Sequence, residues 1–216
     1  MSPIGITTLL TLSLIAFLAL TFRKLSIVAA LQPEVRWDDP WRRVRAVLRN
    51  GLLHRRMIAR EWQPGLMHAV IFVGFVSLLV RKVHLLLIGF DETYAVTGPF
   101  ADAFTVWKDW VGLAVLAAVA YAFYRRLILK PARLEPNREG LLVLALITVI
   151  VSSDFLFDAF RFALHPDVPA IAHERAIAPI GGWLASFVDG WSRGSLALAS
   201  QLAYWTQMVT VFAFLV

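Results

Sequence analysis

The sequence predicts an all-α membrane protein, a bundle of about five transmembrane helices with its N-terminus outside and its C-terminus inside. Three observations lead there. Of the 216 residues 59% are hydrophobic, above the roughly 45–50% of an ordinary soluble domain. The apolar residues gather into long runs, and about 20 in a row suffice for a helix to cross the ~30 Å hydrocarbon core. Lysine and arginine, finally, are sorted into alternate loops.

The whole chain, 1–216, reads as a single transmembrane domain with spans at 4–22, 65–90, 104–124, 140–164 and 196–216. The first run has neither a basic leader nor a small-x-small cleavage site, and Arg23 and Lys24 follow it, so it reads as an uncleaved anchor. The basic segment 23–64 contains one or two surface helices, and its stretch 41–60 suits anionic lipid headgroups. Span two opens after Pro64 and includes Arg81, Lys82 and His84; Tyr124-Arg125-Arg126 closes span three. Span four becomes polar in its last third. The loop 165–193 carries three prolines and a semi-apolar stretch, 183–191, suited to an interfacial helix. Span five is still apolar at Val216, which suggests a continuation. The loop between spans one and two holds ten Lys and Arg, and that between spans three and four holds five; the other two loops hold none and two. The positive-inside rule therefore puts the two basic loops in the cytoplasm.

The formal charge of +6 thus belongs to a membrane surface and not to nucleic acid, and the absent cysteine excludes disulfides and a cysteine-ligated iron–sulfur cluster within this chain. Without an internal repeat, the inverted-repeat plan of transporters has no support. The eight tryptophans fall mostly near span ends, as interfacial anchors do.

Polar groups inside a span are costly and are functional candidates by default. A neutral imidazole in a bundle is a natural axial ligand for haem iron, which singles out His68 at the inner end of span two. His84, 16 residues on, lies about 24 Å further along the helix, but on a straight helix it points some 160° away from His68. At the outer face His165 and His173 are the histidines able to meet His84. At the inner face His54 is a poorer partner for His68, because Arg55 and Arg56 beside it suggest a solvated surface helix. Asp154 and Asp158 share a face of span four, with Arg161 placed to pair with Asp158. Either a salt-bridge network reaching Arg81 or Lys82, or proton traffic to a quinone with Arg81 on a haem propionate, accounts for them.

The stretch Arg36-Trp37-Asp38-Asp39-Pro40-Trp41-Arg42-Arg43, followed by Gly65-Leu66-Met67-His68 and Ile71-Phe72-Val73-Gly74-Phe75, resembles the membrane domain of bacterial iron–sulfur oxidoreductases related to heterodisulfide reductase, among them electron-transfer-flavoprotein:quinone oxidoreductases. That domain is similar to the cytochrome b (gamma) subunit of respiratory nitrate reductase. The resemblance implies a bacterial inner-membrane module of the respiratory chain with one or two haems b and no catalytic residue of its own. Electrons would pass between a cytoplasmic iron–sulfur protein or domain, with electron-transfer flavoprotein as a candidate donor, and membrane quinone as substrate. It makes His68 an expected iron ligand and His84 a second one. Related sequences place a histidine near the start of span five, where this chain has Ala203-Tyr204-Trp205-Thr206-Gln207, and they continue into a cysteine-rich domain. The alternatives are a haem-free membrane anchor for a redox complex and a small transporter using the span-four carboxylates.

Overall fold

The computed structural model describes residues 2–31, 38–131 and 138–215. Arg36 and Trp37 of the quoted stretch, Arg133 of the second basic loop and Val216 at the end of span five lie outside the described residues.

The described chain is mostly helical, with short connections such as 91–98 and 165–168 between helices. Helix α1 runs Pro3–Ala29, where Ser2 caps it by accepting from the Gly5 N–H at 3.2 Å. It continues past residue 22 because Arg23, Lys24 and Leu25 are good helix formers and nothing there breaks the ladder. Two short helices follow, α2 (Pro40–Val47) and α3 (Arg55–Arg60), with a π-turn at Leu48–Leu52 between them. Helix α4 spans Trp62–Phe90, starting before Pro64 because proline is tolerated in a first turn. Its 29 residues give a rod of about 43 Å. Helix α5 (Pro99–Tyr124) begins on a proline, also suited to a first helical position, and runs into a π-turn at Arg125–Leu129. Helix α6 covers Arg138–Leu164, and α9 covers Arg193–Leu215. Between them, α7 (Pro169–Ile177) and α8 (Pro179–Ser186) fold back onto the bundle, burying Ile171, Gly181 and Ala185.

Among the described residues, four helices are long and apolar enough to cross a membrane: α1, α4, α5 with its π-turn, and α6. The 23 residues of α9 also suffice in length, but Gln201, Thr206, Gln207 and Thr210 dilute its apolar character. Large apolar side chains such as Leu14, Ile15, Phe75, Leu79 and Leu202 face outward, as a lipid solvent demands. The protein is a multi-pass, all-α membrane bundle.

Helix α6 sits at its centre. On one side Phe157 joins Ile6 of α1, Leu85 and Ile88 of α4, and Tyr204 and Met208 of α9 in one buried cluster. On the other, Val151 and Phe155 pack with Leu78 of α4 and with Val115 and Val119 of α5. Gly74 of α4 lies against Val115 with no room for a side chain between them.

Candidate functional site

Two groups of polar side chains lie at opposite ends of α4. At the His84 end, the polar last third of α6 meets polar residues from every neighbour. Arg81 of α4, 1% exposed, donates through Nε to Asp154 Oδ1 at 3.2 Å and through a terminal nitrogen to Asp158 Oδ1. Lys108 of α5 donates to the other Asp158 oxygen at 2.5 Å and to Asp109 at 2.9 Å. The second Asp109 oxygen accepts the N–H groups of Ile180 and Gly181, at 2.8 and 2.9 Å, in the first turn of α8. Exposed helix-start N–H groups carry partial positive charge, so this carboxylate pins α8 onto α5. Gln207 of α9 donates to Asp154 at 2.9 Å, and Lys82 stands 4.0 Å from the same oxygen.

The spacing along α6 predicts an ion pair between Arg161 and Asp158, and the structure corrects it. Arg161 donates to Glu174 of α7 at 2.9 Å and to the Tyr94 and Glu92 carbonyls at 2.7 and 3.3 Å. Both Asp158 oxygens are already taken by Arg81 and Lys108. Four cations (Arg81, Lys82, Lys108, Arg161) therefore face four carboxylates (Asp109, Asp154, Asp158, Glu174) in one buried, charge-balanced cluster. Buried charges persist only when paired and hydrogen-bonded, and this set nearly satisfies that condition. Among the described residues, Lys82 Nζ, His84 Nε2 and Gln207 Oε1 are its buried polar atoms without a hydrogen bond. Arg81 is held by protein carboxylates, the arrangement of the salt-bridge alternative given above.

Lys108 and Asp109 are not among the candidates that the sequence singles out above. Their signal is present in Trp107-Lys108-Asp109-Trp110, a charged pair inside an apolar run.

Helix α4 is continuous, with no break near Arg81, so His68 and His84 do face different partners. Arg81 Nη1 lies 3.1 Å from His84 Nδ1. Guanidinium only donates, so Nδ1 accepts and the ring proton sits on Nε2. An imidazole that binds iron through Nε2 needs the reverse arrangement. The other ring contact of His84 is Tyr94, at 5.8 Å between centroids. His173 is turned to Asp102 at 3.1 Å on an exposed surface, and His165 is half-buried just past α6. Among the described residues no ring contact joins His84 to either of them.

At the opposite end, the expectation of a solvated His54 is corrected. His54 is only 4% exposed, and its ring stands 5.1 Å from that of His68 and 4.9 Å from that of Phe72. The helix that follows is exposed as expected, but His54 itself is covered because the chain reverses at Glu61 and lays α3 back along α4. Gly65 makes that crossing possible: a Cβ there would lie 2.6 Å from the backbone of Ile58. His54 holds a left-handed backbone, φ 51°, at a cost of about 1–2 kcal/mol for a residue with a side chain. Its Nδ1 lies 2.9 Å from the Leu52 carbonyl. A carbonyl only accepts, so Nδ1 carries the proton and the Nε2 lone pair is free, the tautomer found in histidine metal ligands. Beside this pair, an open groove of about 430 Å³ between α4 and α5 is lined by Trp62, Gln63, Met67, Ala117 and Tyr121, with the Tyr121 hydroxyl donating to Gln63 at 3.1 Å.

No family model and no solved structure matches the chain. A curated protein of Bacillus subtilis (strain 168), a probable iron-sulfur-binding oxidoreductase called FadF, is 25% identical over 166 residues, which is 75% of this chain and 22% of that protein. The chain thus corresponds to under a quarter of the relative's length.

Proposed function

We propose that the chain is the membrane part of an iron–sulfur oxidoreductase, a cytochrome b-like module that passes electrons between a cytoplasmic iron–sulfur partner and membrane quinone. The observation that carries this reading is the likeness to FadF, which extends over three quarters of the chain. In this reading the chain lies in a bacterial inner membrane with its N-terminus outside, so that the His68 end of α4 and the basic segment face the cytoplasm. The arginines of α2 and α3 would then dock the electron donor, an iron–sulfur protein or domain supplied by electron-transfer flavoprotein. Haem b binds at His68, where an imidazole and an apolar flank are available, and supplies the one-electron carrier.

The groove beside Gln63 and Tyr121 offers quinone a flat apolar wall with one amide and one hydroxyl, the donor and acceptor groups that a quinone carbonyl and a quinol hydroxyl need. Asp154, Asp158 and Arg161 act as fixed charges that lock the helices, which favours this seat for quinone over one at the far end and gives the transporter reading no free carboxylate to use.

The haem-free anchor is the second reading, favoured by the direct contact of the His54 and His68 rings and by a bundle held together by its own charges. One experiment separates the two. The protein is purified in detergent from cells with ample haem, and a reduced-minus-oxidised spectrum is recorded with a pyridine haemochrome count. A sharp b-type α-band that quinol reduces and His68→Ala weakens is the expected result. A flat spectrum overturns the cytochrome reading and leaves the anchor.

A further inference from the structure

The basic segment before α4 carries an apolar line that no described element covers. In α2 and the π-turn after it, Trp41, Val44, Leu48 and Leu52 recur at intervals of three or four, the spacing of one helix face, and Val47 flanks them. All five are exposed, Trp41 at 78%. Arg42, Arg45 and Arg49 each follow one of them by a single residue, so they form a second line about 100° around the same helix. Arg43 borders the apolar line on its other side, where it donates to Asp38 at 2.6 Å.

Among the described elements α2 packs only on the π-turn. A helix of eight residues is too short to be stable in water by itself, where about 12–15 are needed. Pro40 in the first turn and the Asp39 side chain, which accepts the Arg42 N–H at 3.3 Å, give it a start. Neither covers its apolar side, so the helix needs a surface to lie against.

The place of α2 in the chain points to that surface. It lies between two membrane-crossing helices, α1 and α4. Helix α3 runs back along α4, and His54 before it reaches the Phe72 ring, about 10 Å past Gly65, where the predicted span opens. The end of the π-turn is therefore beside the first turns of a span, and α2 leads into it at the edge of the bilayer. Apolar residues along one line, bordered by arginines, make the pattern of a helix lying in the plane of a membrane interface. Arginine keeps its stem on apolar surface and its head at the phosphates, and tryptophan suits the same depth. A soluble electron donor needs only the charges. The apolar line decides for lipid, and the docking role proposed above narrows to the arginines of α3.

We infer that α2 and its π-turn are an interfacial anchor, with Trp41, Val44, Leu48 and Leu52 seated among acyl chains and Arg42, Arg45 and Arg49 on the phosphates of anionic lipid. Neither haem nor quinone enters this inference, so it stands or falls apart from the cytochrome reading.

The chain has no cysteine, so a single one can be introduced and labelled. Val44→Cys and Leu48→Cys lie on the apolar line and Ala46→Cys lies opposite it; each takes a nitroxide spin label in the full chain. The proteins are reconstituted into vesicles of phosphatidylcholine, alone or with phosphatidylglycerol. Collision with oxygen, which concentrates among acyl chains, and with a water-soluble nickel complex reports the depth of each label. With phosphatidylglycerol present and protein dilute, the labels at 44 and 48 should be several-fold less exposed to nickel than the label at 46. Arg42→Gln, Arg45→Gln and Arg49→Gln together, or removal of phosphatidylglycerol, should abolish most of that difference. Equal nickel exposure at the three positions overturns the inference. So does protection that is the same with and without phosphatidylglycerol, since anionic lipid then plays no part. Protection that grows with the protein-to-lipid ratio gives the line to a second copy of the chain instead. Protection that appears only when a soluble iron–sulfur protein is added gives it to that donor.

Discussion

His68 and His84 are 16 residues apart on one unbroken helix, about 24 Å, yet their surroundings are built on opposite principles. Around His84, charges from α4, α5, α6 and α7 and an amide from α9 interlock, and an arginine takes the lone pair of the ring. His68 meets one other imidazole, itself against Phe72, while its neighbours Leu66 and Met67 line an open groove; the partner ring stands at the start of a short helix that packs, among the described elements, on α4 and the π-turn alone. A buried charge network resists change because any opening strands a charge in a medium of low dielectric. The helix that follows His54 packs, among the described elements, only on α4 and the preceding π-turn, with no such network across it. The first end is suited to fixing the bundle, and the second is the end to which the proposed function assigns haem.

The largest test of that contrast is Asp158→Asn. It leaves both Arg81 and Lys108 short of a carboxylate, and removing one partner of a buried ion pair costs about 3–5 kcal/mol. Thermal unfolding in detergent, followed by circular dichroism, should show that loss. A change below about 1 kcal/mol, the usual worth of a surface pair, would show that the network does not lock the helices.

Gly65→Ala acts at the other end and should be milder. Forcing a methyl against the Ile58 backbone is overpacking, typically worth about 1–3 kcal/mol. Its effect should be local: amide exchange of α3 quickens and, under the proposed function, haem content drops, while the helices joined by Asp158 keep their protection. Equal loosening at both ends would dissolve the distinction between them.

The smallest expected effect is a pH dependence from the edge of the charged end. Burial, with Arg161 and Arg193 nearby, holds the His165 imidazole below its ordinary value of 6.5. The folded state thus binds this proton less readily than the unfolded chain. The contribution of His165 to stability is complete above about pH 6.5 and is lost as the pH falls through the lower folded value. Melting temperature should decline on acidification, and His165→Gln should flatten part of that decline. An unchanged slope in the variant would assign it to other groups.

Much of the architecture is legible in the sequence because it depends on local composition. Runs of apolar residues define the long helices, whatever their neighbours, since a backbone in lipid must satisfy its own hydrogen bonds. Seventeen of the 21 lysines and arginines lie outside the predicted spans, and the remaining four, Arg81, Lys82, Lys108 and Arg161, are those that meet in the buried cluster. The cost of a charge inside a span singles out Arg81, Lys82 and Arg161 from sequence alone, and the same rule, applied to Trp107-Lys108-Asp109-Trp110, marks the fourth.

The partners within the cluster were decided only by the tertiary structure. A spacing of three on α6 makes Arg161 available to Asp158, but the folded-back α7 offers it Glu174, and α4 and α5 bring two other cations to Asp158. His54 is hidden for the same reason: its arginine neighbours describe a surface helix, and nothing local reveals that a turn at Glu61 and a bare Gly65 press that helix onto α4. Which residues must avoid water or seek it is a property of each side chain. Which one meets which depends on the crossing of helices far apart in the chain, and the sequence alone does not specify that.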